Sequence, residues 1–323
     1  MLKRIAAAAA ASITLAGLAA CGNGGSDAKG GGTLKVSFSE VVADELPLWI
    51  AQDSGLFAKH NVQVDLTNLS SSDGFPALIS GQTQLASIGA SEMVSGAASG
   101  AKVSYIATLT PVFPYQLYSK VPGDQLRGKK IGITSTSGSL YIATLQALQQ
   151  LGMTKSDVQL ITLGSVTNVN NALVSGSIDA ALSHPPGSAK IEASGYKPVL
   201  DLAKQKIPTS NVGIAVLQSY AKDHRGEVQN FISALLEAIA REKSDKAYSI
   251  SELKAHLKVD DEKALDETYQ FYAQEVLPAV PTPTVQQLAT SQNVLGAANP
   301  KVKQLDLSTI VDTSFVSSAG TQG

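Results

Sequence analysis

The sequence predicts an α/β architecture of two similar lobes facing one cleft. Three observations predict it. Short β-prone runs alternate with helical periods between residues 33 and 217. The pattern of the first series returns about 95 residues later. One more strand and several long helices follow the second series, which most simply return to complete the first lobe.

In the first series, Thr33 to Ser39 is a β-prone run, and Leu46 to Phe57 is helical with Leu46, Trp49, Ile50 and Phe57 on its apolar face. Val62 to Leu66 alternates as a strand, and Phe75 to Ser80 is a helix stopped by Gly81. Leu85 to Ile88 and Val103 to Leu109 are apolar strands. The second series begins with the strand Lys130 to Thr134 and the helix Ser139 to Leu151, ended by Gly152. Val158 to Leu163, Val169 to Leu173, Ala180 to Ser183 and Val199 to Leu202 follow as strand, helix, strand and strand. The repeat is clearest where Ala77-Leu78-Ile79-Ser80-Gly81 before Leu85-Ala86-Ser87-Ile88 returns as Ala172-Leu173-Val174-Ser175-Gly176 before Ala180-Ala181-Leu182-Ser183. The strand Val212 to Leu217 and helices over 227–248, 261–277 and 284–295 close the chain. The expected division is 33–112 with 213–323 as lobe one and 113–212 as lobe two.

The chain opens with a targeting pattern. Lys3 and Arg4 precede an uncharged apolar stretch from Ala6 to Gly17, too short to span a bilayer, so residues 1–20 read as a signal peptide. Leu18-Ala19-Ala20-Cys21-Gly22 resembles a bacterial lipobox, which makes Cys21 the expected acylated first residue of the mature protein. Each buried acyl CH₂ contributes about 0.8 kcal/mol to membrane binding, so an anchored body needs no spanning helix. Residues 21–32, rich in Gly with Ser, Asp and Lys, read as a flexible tether. Cys21 is the single cysteine of the 323 residues, which excludes an intramolecular disulfide and a Cys-rich metal site.

The net charge is −2 and falls near −4 without Lys3 and Arg4. Four Arg and no basic stripe argue against nucleic-acid binding. No G-x-S-x-G, H-E-x-x-H or Walker A loop is present, and His60, His184, His224 and His256 show no metal-ligand spacing. No cofactor or metal is expected.

Polar residues gather where strands end, the usual ligand position in open α/β sheets. Ser135-Thr136-Ser137-Gly138-Ser139 follows a strand and opens a helix, whose free N–H groups suit an anion or a polar head; plain N-capping is the alternative. Ser70-Ser71-Ser72-Asp73-Gly74 holds the analogous turn in lobe one. Gly89-Ala90-Ser91-Glu92 and His184-Pro185-Pro186 follow the two repeated strands and should face each other. Trp49, the lone tryptophan, fits a core position better than a stacking platform.

Pro47-Leu48-Trp49-Ile50-Ala51-Gln52-Asp53-Ser54-Gly55-Leu56-Phe57 with Val62-Gln63-Val64 resembles the opening of ABC-importer substrate-binding proteins of the nitrate/sulfonate/taurine type, whose relatives bind thiamine-precursor pyrimidines. The likeness continues through Leu126 to Gly132, Gly138-Ser139, Leu151-Gly152-Met153 and Ala172 to Ala180. It implies a type II periplasmic-binding-protein fold, two Rossmann-like lobes joined by crossings near 110–118 and 207–213 and closing on a ligand for a membrane permease. By position it implies ligand contacts at Ser39, Glu40, Ser72, Asp73, Gly74, Ala90, Ser91, Thr110, Ser137, Gly138, Ser139, Asn168 with Thr167, and His184. Two departures are Gln84, where the family usually has Asp, and His184-Pro185-Pro186, where many relatives carry another polar residue. Fungal thiamine-precursor synthases share the fold but carry a Cys-rich motif that this chain lacks.

The expected function is capture, by a lipid-anchored extracytoplasmic monomer without enzymatic activity, of a sulfonate- or taurine-like or nitrogen-bearing solute. Presentation of ligand to a membrane sensor and binding of a thiamine-precursor pyrimidine are the alternatives. Glu40, Asp73 and Glu92 on lobe one suit an amine, and the Gly138 helix start on lobe two suits an anionic or acceptor end.

Overall fold

The structure, a computed structural model, describes residues 32–70 and 72–319. The expected signal peptide, Cys21 and the tether up to residue 31 lie outside the described residues, and among the described ones no helix is long and apolar enough to cross a membrane.

Ten strands form two sheets: β1 (Leu34–Phe38), β2 (Val64–Asn68), β3 (Leu85–Ile88), β4 (Val103–Val112), β5 (Gln116–Ser119), β6 (Lys130–Ile133), β7 (Gln159–Thr162), β8 (Ala180–Ser183), β9 (Lys197–Asp201) and β10 (Pro208–Leu217). The first sheet has the order β2-β1-β3-β10-β4 and the second β7-β6-β8-β5-β9. Each contains one antiparallel strand in fourth place, and that strand is the one arriving from the other sheet: β10 lies between β3 and β4, and β5 between β8 and β9. The 95-residue repeat therefore corresponds to two copies of one topology, with β3 and β8 at its best-matched segment.

Each sheet has its own apolar core. Phe57, Phe231, Leu235 and Phe315 cover one face of the first sheet, and Leu78, Met93, Tyr105 and Leu288 the other. Ile131, Ile142, Leu148 and Leu182 build the core of the second. Trp49 is a core residue at 2 % exposure, edge-on to Phe38 and stacked on His256 with ring centroids 4.5 Å apart. Burying a side chain of this size contributes about 1.5–3 kcal/mol.

The chain departs from the sequence expectation in several places. The segment 46–57 is two helices, Leu46–Asp53 and Leu56–Lys59, because Gly55 takes φ +71 and turns the chain between them. β5 falls in a stretch read only as a crossing. The sheet pairing puts the crossings at 113–115 and 202–207, since residue 208 already pairs with Val112 in the first sheet; the return was expected at 207–213. The segment 261–277 begins as the helix Glu262–Tyr269 and finishes as a π-helical turn over Gln270–Val276.

The long helix expected over 227–248 is likewise two, Arg225–Ser244 and Lys246–Leu257. Asp245 divides them, and its carboxylate accepts the Tyr248 N–H at 3.1 Å to cap the second. Asp245→Ala is expected to cost about 1 kcal/mol, seen as a melting temperature lowered by about 2–4 °C. An unchanged melting temperature would mean that the cap carries no stability.

Candidate ligand-binding site

The C-terminal ends of β1, β3, β6 and β8 point toward the junction of the two sheets. There Ser39, Glu40, Gly89, Glu92 and Asn211 meet Thr134, Ser139, Val166 and His184, with Tyr115 from the first crossing, around a cavity of about 40 Å³. That volume holds a water-sized or ammonium-sized group. The lobes touch here: the Ser139 hydroxyl donates to the Asn211 carbonyl at 2.8 Å. A Cβ on Gly89 would lie 2.0 Å from the Ser139 Oγ. A wider depression of about 640 Å³ opens beside it, lined in part by Ser72, Glu92 and Ser137.

The structure thus gathers Ser39, Glu40, Ser139 and His184 in one cavity. Ala90 and Ser91 are buried beside it, where the Ser91 hydroxyl donates to the Glu92 carboxylate at 2.6 Å. Gly138 is the N-cap of the helix Ser139–Gln150 and Ser137 precedes it, next to the wider opening. Other expected contacts stand apart from the cavity. Thr110 is buried and donates to Asp44 Oδ1 at 2.7 Å. Asp73 accepts from Ser70 at 2.6 Å, and Gly74 is buried against Ile88. Asn168 is exposed; its backbone N–H donates to Ser165, and its side-chain amide donates to the Leu163 carbonyl at 2.8 Å.

Sequence reasoning passed over the residues just behind the cavity. Asp44 and Glu45 form the 3-10 turn before the helix Leu46–Asp53, and neither side chain caps that helix. Asp44 Oδ1 accepts from Thr110 and, at 3.1 Å, from Asn211 Nδ2; its Oδ2 has no partner. Glu45 accepts from Ser87 at 2.8 Å through one oxygen, and its other oxygen has no partner. His184 packs its ring against Tyr115 at 5.5 Å and edge-on to Tyr272 at 5.8 Å. Its Nδ1 donates to the Pro185 carbonyl at 2.9 Å. A run of three acids in six residues, Glu40, Asp44 and Glu45, was the signal available; Tyr272 returns from the far end of the chain and left none.

Burial raises four glutamates in and behind the cavity. It lifts Glu40 to about 7 against the opposing pull of the Val166 N–H. Glu92 also rises to about 7 through burial, opposed by the Ser91 hydroxyl and by the N–H groups of Glu92 and Gly89. Glu45 stands well above the usual carboxylate range, through burial and then the nearby Asp44 and Glu40, with the Ser87 hydroxyl opposing. Glu242 rises to about 8 through burial, Asp44 adding to the rise and Lys243 working against it. Burial and the neighbouring acids likewise push the Tyr115 and Tyr272 hydroxyls up.

Away from the cleft, Asp53, Glu252 and His256 come within 4.8 Å of one another, a potential metal-donor group hidden by about 200 residues of separation. His256 Nε2 already pairs with Asp53 at 2.7 Å.

The profile of a family described as "NMT1/THI5 like" matches residues 43–244, well over half of the chain. The chain belongs to the NMT1/THI5-like family. The resemblance carried by Pro47 to Phe57 and Ala172 to Ala180 falls within that match. Among curated proteins, this NMT1/THI5-like chain is 31 % identical over 144 residues to a 4-amino-5-hydroxymethyl-2-methylpyrimidine phosphate synthase of Uromyces fabae. The match covers 42 % of this chain and only 41 % of that protein's length. Its fold is similar to a Bordetella bronchiseptica RB50 protein, with a TM-score of 0.77 at 20 % identity, covering 90 % of this chain and 97 % of that one. It is also similar to the periplasmic aliphatic sulphonate-binding protein of Escherichia coli, with a TM-score of 0.70 at 19 % identity, covering 87 % and 92 %. The fold is the type II periplasmic-binding-protein fold.

Proposed function

We propose that this protein captures a small organic solute in the cleft between its lobes and hands it to the permease of an ABC importer. One observation carries the reading: a single cavity is enclosed by strand ends of both sheets, while only the segments 113–115 and 202–207 join those sheets covalently. Two such crossings can act as a hinge, so that closure buries a ligand and opening releases it. Binding proteins of this fold, the sulphonate-binding relative among them, support it.

Capture requires no covalent step. The relative named a synthase raises the opposite reading. Against it, the Ser139 hydroxyl donates to the Asn211 carbonyl and not to His184, so among the described residues these two form no nucleophile–base pair in the cavity. We place the protein on the extracytoplasmic face of a bacterial membrane, held by acylated Cys21 and a Gly-rich tether that raises its effective concentration near the permease.

The test is closure. Fluorophores placed on exposed Lys35 and Lys155 should approach each other when the protein meets a deproteinised extract of its own cells, and dialysis should reverse the change. No change, or a ligand recovered chemically altered, would sink solute capture. Cys21→Ala should release the protein from membranes with ligand binding intact; binding lost together with the anchor would show that the first thirty residues belong to the site.

A further inference from the structure

The sequence left both sulfonate-like and nitrogen-bearing ligands open, and the cavity separates them by charge. Among the described residues, no Lys or Arg lines it. Glu40 and Glu92 do line it, Asp44 lies one side chain deeper through Asn211, and Glu45 and Glu242 stand near Asp44. The basic groups at this cluster are His184, which lines the cavity, and Lys243, beside Glu242.

These carboxylates are short of donors. Glu40 Oε1, Asp44 Oδ2, Glu45 Oε1 and Glu242 Oε2 are buried without a partner. So is the Oδ1 of Asn211, a residue 5 % exposed that lines the cavity and whose amide nitrogen is already committed to Asp44. A buried acceptor left unpaired costs about 1–3 kcal/mol, and a charged one more. One donor-rich group in the cavity would relieve the cost at Glu40 and Asn211, which line it; behind them the Tyr272 hydroxyl faces Asp44.

Three helix N-termini also approach the cavity, and such ends ordinarily favour anions. Two are already served by the protein's own acids. Glu92 sits in the first turn of the helix Ala90–Ala98 with the Gly89 N–H directed at it, and Glu40 faces the Val166 N–H that opens the helix Val166–Val174. That leaves the start of Ser139–Gln150 to meet a neutral acceptor. Tyr115 brings an aromatic ring to the same cavity, the kind of surface that attracts a cation.

We propose that the ligand is a small organic cation, a protonated amine or amidine, whose charged nitrogen seats between Glu40, Glu92 and Asn211 with Asp44 behind them. The proposal rests on the solute-capture reading. An anionic sulfonate head would instead meet the carboxyl groups of Glu40 and Glu92, with His184 but neither Lys nor Arg in the lining to hold it.

The test is a thermal-shift and calorimetry panel on the purified mature chain at pH 8, using ethylamine, methylguanidine and benzamidine against ethanesulfonate and nitrate. At least one cation should raise the melting temperature, and neither anion should. Glu40→Gln should weaken that cation by at least about tenfold. Removing a buried negative charge should not lower the melting temperature of the free protein, so lost binding cannot be put down to misfolding; Asp44→Asn is the second variant. A shift by ethanesulfonate or nitrate alone overturns the cationic assignment and leaves solute capture standing. No shift from any probe also overturns it, and capture is then decided by the closure measurement with whole extract.

Discussion

Gly89→Val is expected to hold the cleft open and weaken ligand binding by roughly 100-fold or more, about 3 kcal/mol. Gly89 follows β3 and caps the helix Ala90–Ala98 at φ −83 and ψ 166, extended backbone that valine adopts readily. The tightest conflict, with Ser139, lies across the cleft. A Cβ there would stand 2.0 Å from Ser139 Oγ, 3.0 Å from Glu92 Oε2 and 3.2 Å from the Asn211 carbonyl. Ser139 can rotate aside only by giving up its 2.8 Å bond to Asn211, and the added valine methyls would then meet a backbone carbonyl that cannot rotate. In an open cleft the contact with Ser139 is absent, while those with Glu92 and Asn211, which belong to the same lobe as Gly89, remain, so the melting temperature of the free protein should change less than the affinity. Gly89→Ala should fall between wild type and valine, and Ser139→Gly should restore part of its loss. Calorimetry and small-angle scattering read the two effects separately. Unchanged affinity in Gly89→Val would show that the lobes do not need to meet here for capture.

That contact could not be read from the sequence. Ser137-Gly138-Ser139 was legible as a strand-to-helix turn, and Gly89 as the turn after the repeated strand, because each is a local pattern. Their meeting depends on how two sheets are set against each other by three- and six-residue crossings, which leave no periodicity. Boundaries failed for local reasons: Gly55 and Asp245 are start signals for second helices inside what the apolar spacing read as one. Strand order was legible only in outline, since the insertion of β10 between β3 and β4, and of β5 between β8 and β9, is a long-range pairing. Asp44 illustrates the same limit within the site. In the sequence it is one acid before a helix; in the fold it sits under Asn211 and Thr110, which arrive from two other strands.

The raised glutamates in and behind the cavity should make the free protein lose stability as pH rises from 5 to 8. Glu40 and Glu92 titrate at about 7 and Glu242 at about 8 in the folded protein, and Glu45 is also raised, against an ordinary value of 4.5. A folded pKa above the unfolded one means that the folded state binds more protons in between. The stabilisation is therefore complete below about 4.5 and is lost as pH climbs through 7 and 8. Each such proton contributes a slope of about 1.4 kcal/mol per pH unit. With water penetration discounting the sum, a loss on the order of 3 kcal/mol between pH 5.5 and 8, or about 6–12 °C, is the expected result. The groups facing these acids are Asp44, which opposes ionisation of Glu45 and Glu242, Lys243, which favours it beside Glu242, the protonated hydroxyls of Tyr115 and Tyr272, and His184 in the cavity lining. Glu40→Gln with Glu92→Gln should flatten the profile. A bound cation should flatten it too, because it lets the carboxylates ionise, so binding should release protons and tighten as pH rises. Calorimetry in buffers of different ionisation heat measures the sign. Proton uptake on binding would mean that the ligand brings negative charge to these acids, and a stability that rises from pH 5.5 to 8 would mean that they are ionised and paired in the free protein.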